Sequence, residues 1–207
     1  MKMPDLVLRV RRHLAEAGSG AHNDNAIQDA VKRSARDLAR QYHLFKGVAT
    51  LTPTDGRAAL PADFAGVETV RAGGVTLPLH TPAEVAARTP WTLPAYYWGE
   101  EYETDGALLL YGPVPGPVVL TYHRVPADPT QSREAWGGKY EEYHDLIALH
   151  AAHSLQGQTG ASAAKDGIWL QRLEQRKDEF RAYLASARLG TTRMQFTPRT
   201  RFPSQRY

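Results

Sequence analysis

The stretch that decides the fold is DGALLLYGPVPGPVVLTYHRV, Asp105 to Val125. It contains two β-rich runs, ALLLYG and PVVLTYHRV, joined by a turn at Pro113 to Pro117. The run AYYWGEEYE comes just before it, so the Asp105-Gly106 pair lies between two β-rich segments. Asp-Gly in that setting is the strongest short-range signal for a β-hairpin. The stretch therefore predicts three short strands in succession.

The residues upstream of this stretch continue the β pattern. The run VATLT is followed by a turn at Pro53 to Gly56, and GVETVRAGGVTLPL folds back around Ala72 to Gly74. Both turns contain glycine, which tolerates the backbone angles that tight hairpins need. A short helix is expected at PAEVAAR, with Pro82 in its first turn. Together these segments predict five or six short strands in the middle of the chain.

Two helices are predicted before the strands. In PDLVLRVRRHLAEAG the apolar residues recur at helical spacing, and Gly18 follows as a cap. The second helix begins at Asn23, Asp24 or Asn25 as its cap and is expected to end at Gly47. Its apolar stripe consists of Ile27, Val31, Leu38, Tyr42 and Phe45.

Two further helices are predicted after the strands. One covers KYEEYHDLIALHAAHSLQG, with a stripe at Tyr140, Tyr143, Ile147, Ala151 and Leu155. The other runs from about Ala161 to Leu189. Its stripe consists of Ile168, Leu173, Phe180, Leu184, Leu189 and either Trp169 or Leu170.

This order predicts an α+β fold in which both helix pairs form one bundle and the strands form an inserted antiparallel β lobe. The expected parts are a first helix pair at 1–47, the β lobe at 48–126, a second helix pair at 127–189 and an extended basic tail at 190–207.

Composition excludes several classes of protein. No run of about 18 apolar residues is present, so no membrane span is expected. The N-terminal MKMPDLVLRV lacks the apolar region of a signal peptide. The chain has no cysteine, which excludes disulfides and thiolate metal sites and fits synthesis in a reducing cytosol.

Positive charge is concentrated at the C-terminal end. From Arg181 onward the chain has six arginines and no acidic residue, whereas the preceding 180 residues carry 19 basic and 22 acidic residues. The last segment, RMQFTPRTRFPSQRY, lacks the apolar content needed to fold alone. Its positive charge predicts that it binds either an acidic surface of a partner or a nucleic acid. The candidate binding residues are Arg193, Phe196, Arg199, Arg201, Phe202, Arg206 and Tyr207.

Few residues point to catalysis. His144, His150 and His153 recur along one predicted helix, and imidazoles at such spacing can bind a metal. The segment has no H-E-x-x-H arrangement, so a helix–helix contact is the favoured interpretation. Tyrosines in the β lobe could stack on bases, but cross-strand packing is their commoner use. We expect no enzyme activity, no metal and no cofactor.

The order of these features resembles the adaptor, or head–tail connector, proteins of tailed bacteriophages. The resemblance rests on LPADFAGVETVRAGGVTLPLHTPAEV, DGALLLYGPVPGPVVLTYHRVPADP, KYEEYHDLIALHAAHSLQG and WLQRLEQRKDEF, and extends over residues 1–188. The entry motif of the family corresponds to Leu60 to Phe64, and its exit motif to Tyr122 to Pro126. Gly73-Gly74 and Gly112 to Gly116 occupy the turns.

The resemblance implies a twelve-fold ring in the neck of the virion, beneath the capsid portal. It implies that the C-terminal tail binds the portal protein, with a tail or nozzle protein below and DNA passing through the channel. Two alternatives remain open. The arginines Arg9, Arg11 and Arg12, together with the tail, could bind nucleic acid, and the three histidines could serve a metallohydrolase.

Overall fold

The computed structural model describes residues 1–16, 22–87, 92–98, 107–156 and 163–192. The helices are α1 (Met3–Glu16), α2 (Asp24–Gln41), α3 (Pro82–Ala87), α4 (His144–Gln156) and α5 (Ala163–Thr192). The strands are β1 (Lys46–Leu51), β2 (Arg57–Ala59), β3 (Phe64–Ala72), β4 (Val75–Thr76), β5 (Ala95–Tyr97), β6 (Ala107–Tyr111) and β7 (Val118–Arg124). The predicted α+β class is confirmed.

Helices from both ends of the chain pack around one core. Helix α4 contacts α1, α2 and α5, and its residues Leu146 and Ile147 are fully buried. Leu6 of α1, Leu38 of α2 and Phe180 of α5 belong to the same apolar cluster. Helices in proteins gain most of their stability from tertiary packing, so this shared core stabilises all four. The predicted single bundle is confirmed.

The β lobe consists of two antiparallel sheets. One has the strand order β1-β7-β3-β4, and the other has the order β2-β6-β5. Inward residues alternate along the strands: Val118, Leu120 and Tyr122 of β7 pack with Leu108 and Leu110 of β6 in a second apolar cluster. The lobe therefore has its own core, separate from that of the bundle.

The turns of the lobe follow the sequence prediction. Asp55 and Gly56 adopt left-handed angles between Thr54 and Arg57, and Gly73 and Gly74 do so between β3 and β4. The strands β5 and β6 pair as predicted, although the Asp105-Gly106 turn lies outside the described residues. Gly18, the predicted cap of the first helix, lies outside them as well.

The structure corrects two helix boundaries. The sequence predicts that the second helix ends at Gly47, but α2 ends at Gln41 and Gly47 lies in β1. His43 adopts a left-handed conformation there, which ends the helical path. The sequence also predicts a helix from Lys139, whereas α4 begins at His144 because Tyr140 is left-handed. The four-part division of the chain remains a prediction.

The bundle and the lobe are joined through backbone and ring contacts. The N–H of Arg124 in β7 donates to the carbonyl of Phe45 at 3.0 Å. The rings of His43 and His123 lie 4.1 Å apart. These contacts hold the end of β7 against the segment that leaves α2.

Candidate assembly surfaces

The tail residues singled out from the sequence lie beyond the described part of the chain. Arg193, Phe196, Arg199, Arg201, Phe202, Arg206 and Tyr207 all follow Thr192, the last residue of α5. Helix α5 has 30 residues. At about 1.5 Å per residue it is about 45 Å long. The tail therefore begins at the end of a long helix that is attached to the bundle along part of its length.

An aromatic cluster fixes α5 to the bundle. Phe180 is fully buried, and the ring of Trp136 stacks on it with centroids 5.9 Å apart and planes 8° apart. The Nε1–H of Trp136 donates to the carbonyl of Ala35 in α2 at 2.9 Å. Tyr42 meets the same Phe180 ring edge-on at 5.2 Å. Trp136 thus links α2 to α5 through one side chain.

Sequence reasoning missed Trp136. The segment before α4 has no helical or strand periodicity, because Trp136, Gly137, Gly138 and Tyr140 all adopt left-handed angles. In the sequence, the Gly137-Gly138 pair is the one sign that the backbone is irregular here, because glycine tolerates positive φ. At Gly138 a Cβ would meet only the flexible end of the Glu134 side chain, so the positive φ of 79°, rather than space, favours glycine there.

Three tyrosines continue the cluster toward solvent, and we call them the tyrosine strip: Tyr140, Tyr143 and Tyr183. The ring of Tyr183 lies 5.1 Å from that of Tyr143 and 6.5 Å from that of Tyr140. Tyr183 is 40% exposed, although it is a large aromatic side chain. Exposed aromatic side chains in a group are typical of interaction surfaces.

Arg176 holds one end of the tyrosine strip. Its guanidinium lies 4.8 Å from the centre of the Tyr143 ring and donates to Glu179 at 2.6 Å and to Asp145 at 3.2 Å. Burial raises the pKa of the Tyr143 hydroxyl, and the nearby Arg176 opposes that shift. The hydrogen bond from Arg176 lowers the pKa of Glu179. The strip therefore has a fixed cation on its α5 side.

An apolar pocket of about 280 Å³ adjoins the tyrosine strip, and we call it the α5 pocket. Its lining residues come from the α2–β1 connection, the segment before α4 and the second half of α5: Tyr42, His43, Leu44, Lys46, Tyr140, Leu184 and Ala187. Tyr140 belongs both to this pocket and to the strip. Lys46 is paired with Glu68. The pocket can hold an apolar or aromatic side chain of another segment.

The three candidate metal-binding histidines have different surroundings. His144 is fully buried, and its Nδ1 accepts from the Met1 amine at 2.7 Å while its Nε2 donates to the Lys139 carbonyl at 2.7 Å. His150 Nδ1 lies 2.9 Å from the Ser34 hydroxyl, and His153 is partly exposed. In the described ranges, no three His, Asp or Glu side chains are grouped so that they could hold a metal ion.

Burial lowers the pKa of both His144 and His150. For His144 desolvation is the largest cause, and the hydrogen bond to Lys139 opposes it. For His150 desolvation is again the largest, with a further lowering by Lys177. Both imidazoles are therefore neutral hydrogen-bonding groups of the bundle at neutral pH.

The candidate nucleic-acid arginines lie on the outer face of α1. Arg9, Arg11 and Arg12 are exposed, and Arg11 is paired with Asp24 of α2. Neither Arg9 nor Arg12 forms an ion pair with another described side chain. A groove of about 540 Å³ runs beside them between α1, α2 and residues 129–131, with Leu8 half exposed on its wall.

The aromatic residues of the β lobe serve mainly in packing. Tyr96, Tyr97 and Tyr122 are buried, and Trp98 meets Phe64 edge-on at 5.0 Å. The Tyr122 hydroxyl donates to Asp63 at 2.9 Å, and this ring fills the space over Gly47. Tyr102 lies outside the described residues. The interpretation as cross-strand packing holds for the three buried tyrosines.

The described helices give no candidate for crossing a membrane, since none is both long and apolar enough. The features found are a bundle, a small β lobe and exposed aromatic and charged surfaces. Exposed aromatic and charged surfaces of this kind are typical of proteins that bind other proteins.

Comparison with known families agrees with this class. The family model described as SU10 adaptor protein matches residues 1–201, which is nearly the whole chain. The chain therefore belongs to the SU10 adaptor protein family, and it is a structural adaptor protein of a bacteriophage. Such a protein is associated with the virion and interacts with other head or tail proteins. No curated protein matches the chain.

Proposed function

We propose that this adaptor forms a ring in the neck of the virion and joins the capsid portal to the tail. The ring has twelve copies, each of which contributes its C-terminal tail as an arm that binds the portal protein. A tail or nozzle protein lies below the ring, and the packaged DNA passes through its channel.

The main support for a portal-binding arm is one observation: the tail begins where the long helix α5 ends. The tail adds 15 residues after Thr192. At up to about 3.3 Å per residue it can extend on the order of 50 Å. It contains arginine and aromatic residues, which are the residue types enriched at the energetic centres of interfaces. Pro198 and Pro203 disfavour a helix and favour an extended path. Such an arm can cover a large partner surface once that partner orders it.

Exposed apolar residues on both edges of one sheet support the ring. A closed ring needs a head-to-tail contact, in which two different surfaces of the same chain meet. In the four-stranded sheet the outer strands are β1 and β4. Val48 on β1 is 70% exposed and Val75 on β4 is 61% exposed. Two apolar edges on opposite sides of one sheet provide the two surfaces that such a contact requires.

Mass measurement tests the ring. The protein is mixed with its portal, the complex is isolated, and the copies per portal ring are counted by native mass spectrometry or mass photometry. We expect about as many adaptor copies as portal subunits, while the free protein is smaller. One or two adaptor copies per portal ring would contradict the proposal.

A charge-swap series tests the arm. Arg199→Glu with Arg201→Glu should weaken portal binding, because two cations of the arm become anions. Added salt should weaken wild-type binding only in part, since aromatic anchors are not screened. Arg9→Glu with Arg12→Glu is the matched control, since it makes the same change in charge on α1. Equal losses in the two variants would show that net charge, and not the arm, controls binding.

Nucleic-acid binding is a second candidate function, which Arg9 and Arg12 favour because both are exposed and neither forms an ion pair with another described side chain. Binding through phosphate contacts would give an affinity that falls steeply with salt. A fluorescent duplex is titrated with the protein at several salt concentrations. Loss of DNA affinity in the Arg9→Glu, Arg12→Glu variant, with portal binding unchanged, would support this candidate as a separate activity.

A further inference from the structure

The tyrosine strip lies beside a group of acidic residues. From Glu134 to Asp145 the chain has four acidic residues and one lysine. Glu141 and Glu142 are exposed, and neither side chain forms an ion pair within the described part of the chain. They follow Tyr140, which lines the α5 pocket, and precede Tyr143 in the strip. This face of the bundle therefore combines an apolar pocket, the exposed ring of Tyr183 beside two partly buried tyrosines, and two carboxylates without an ion-pair partner among the described side chains.

The tail has the complementary composition. It carries four arginines and no acidic residue, together with three aromatic side chains. Arginine stacks on tyrosine rings and forms strong hydrogen bonds to carboxylates. A phenylalanine suits the α5 pocket, because the 280 Å³ of this pocket exceeds the roughly 150 Å³ cavity that holds benzene.

The tail also begins close enough to reach this face. Ala187 lines the pocket and lies five residues before Thr192. That separation is about 7.5 Å along the helix. From Thr192 to Phe196 the chain can span about 13 Å. Phe196 can therefore return to the pocket of its own molecule.

We propose that in the free protein the tail folds back on its own bundle, with Phe196 in the α5 pocket and its arginines against Glu141 and Glu142. The short connection favours the same molecule over a neighbouring copy, because it gives a high effective concentration. The role in assembly rests on the proposed function: the portal competes for a tail that is held on the bundle until then. The docking itself does not depend on the portal.

Disulfide trapping in the free protein tests the docking. The chain has no cysteine, so a pair introduced as His43→Cys and Thr197→Cys can form one disulfide only. His43 lines the pocket and is exposed, and Thr197 follows Phe196. A disulfide needs the two Cα atoms within about 7 Å. We expect a monomeric disulfide to form rapidly under mild oxidation.

Two tail variants make the test specific. Phe196→Ala should slow disulfide formation at least fivefold, whereas Phe202→Ala, the matched control, should leave it nearly unchanged. Glu141→Lys with Glu142→Lys should also slow it, compared with Asp5→Lys and Asp29→Lys on α1 and α2. Equal rates in all variants, or disulfide-linked dimers in place of monomers, would overturn the proposal.

Addition of the portal separates this inference from the proposed function. If both are correct, the portal suppresses the monomeric disulfide. Suppose instead that the disulfide is slowed by Phe196→Ala, is not slowed by Phe202→Ala, and still forms with portal present. This result supports the docking of the tail on its own bundle and contradicts the binding of the tail to the portal. Absence of the disulfide, with portal binding that depends on the tail, overturns the docking and leaves the arm intact.

Discussion

The helices α4 and α5 are neighbours in the bundle but differ in how much of their surface the core uses. Nine of the thirteen residues of α4 are buried, and this helix contacts α1, α2 and α5. Among the described side chains of α5, three apolar ones are buried: Trp169, Leu173 and Phe180. A helix that is apolar all round lies inside a protein, whereas one with a narrow stripe has its remaining faces free for solvent or partners. Helix α4 is therefore packed on most of its surface, whereas α5 has faces that lie outside the core and are free for solvent or partners.

Three ion pairs run along α5. Arg176 pairs with Glu179, Lys177 with Glu174, and Arg181 with Asp178, all at a spacing of three residues. Pairs of this kind contribute a few tenths of a kcal/mol each to a helix. They support α5 where the core does not. Residues 193–207 therefore follow a helix that is stabilised by local ion pairs as well as by the core.

The largest effect is expected from a charge placed in the shared core. Leu38→Asp in α2 or Leu173→Asp in α5 would bury a carboxylate without a partner, since these leucines are 0% and 2% exposed. Each should cost about 4 kcal/mol or more, which is a large share of the stability of a domain. Thermal unfolding followed by circular dichroism measures the loss.

Leu170→Asp is the matched control for these variants. Leu170 is on α5 as well, but it is 47% exposed, so its substitution should change stability by less than about 1 kcal/mol. Wild-type stability in the Leu38 or Leu173 variant would show that the helices from the two ends of the chain do not share one core.

The next effect in size concerns Trp136, which joins α2 to α5. Trp136→Ala removes its stacking on Phe180 and its hydrogen bond to Ala35, and we expect a loss of about 3–5 kcal/mol. Urea unfolding measures this loss. Trp98→Ala in the β lobe removes a tryptophan that is only partly buried, and it should cost less. If both variants lost equal stability, Trp136 would not be a special link between the helices.

Much of the fold could be predicted from the sequence, because its signals are local. The apolar stripes of the helices and the Gly73-Gly74 hairpin depend on residues that are close in the chain. Trp136 and the tyrosine strip could not be predicted, because they join residues distant in sequence through left-handed backbone that follows no period. The choice between Trp169 and Leu170 in α5 also needed the structure, which buries Trp169. The composition of the tail predicts that it binds a partner, but it does not predict which surface the tail contacts.

A smaller effect is expected from pH, since the bundle contains two neutral histidines. Burial lowers the pKa of His144 and His150, so the unfolded chain, with a histidine pKa of about 6.5, binds protons before the folded one does. Their contribution to stability is complete above about pH 6.5 and is lost as the pH falls below it. The melting temperature should therefore drop between pH 7.5 and pH 5.5.

Variants assign this pH dependence to particular histidines. His150→Asn can keep a hydrogen bond to Ser34 without a titrating group, and it should reduce the drop in melting temperature. Melting temperatures of wild type and His150→Asn at pH 7.5 and pH 5.5 measure the difference. A pH profile that is the same in wild type and His150→Asn would contradict this role for His150.

The smallest effect is expected on the surface of α5. Arg176→Gln removes two ion pairs and the contact with Tyr143, and it should cost about 1 kcal/mol because these groups are partly exposed to solvent. Arg181→Gln, which removes an exposed ion pair with Asp178, should lower the urea midpoint less than Arg176→Gln does. Urea midpoints distinguish the two variants, and a larger loss for Arg181 would contradict the anchoring role of Arg176.

Deletion of the tail tests the central claim most directly. A variant that lacks Arg193 to Tyr207 keeps every described element, because α5 ends at Thr192. Its melting temperature and its affinity for the portal are measured beside those of the full chain, by calorimetry and by co-sedimentation. We predict an unchanged fold and a loss of portal binding of at least tenfold. Unchanged affinity for the portal in the folded, truncated protein would contradict the account.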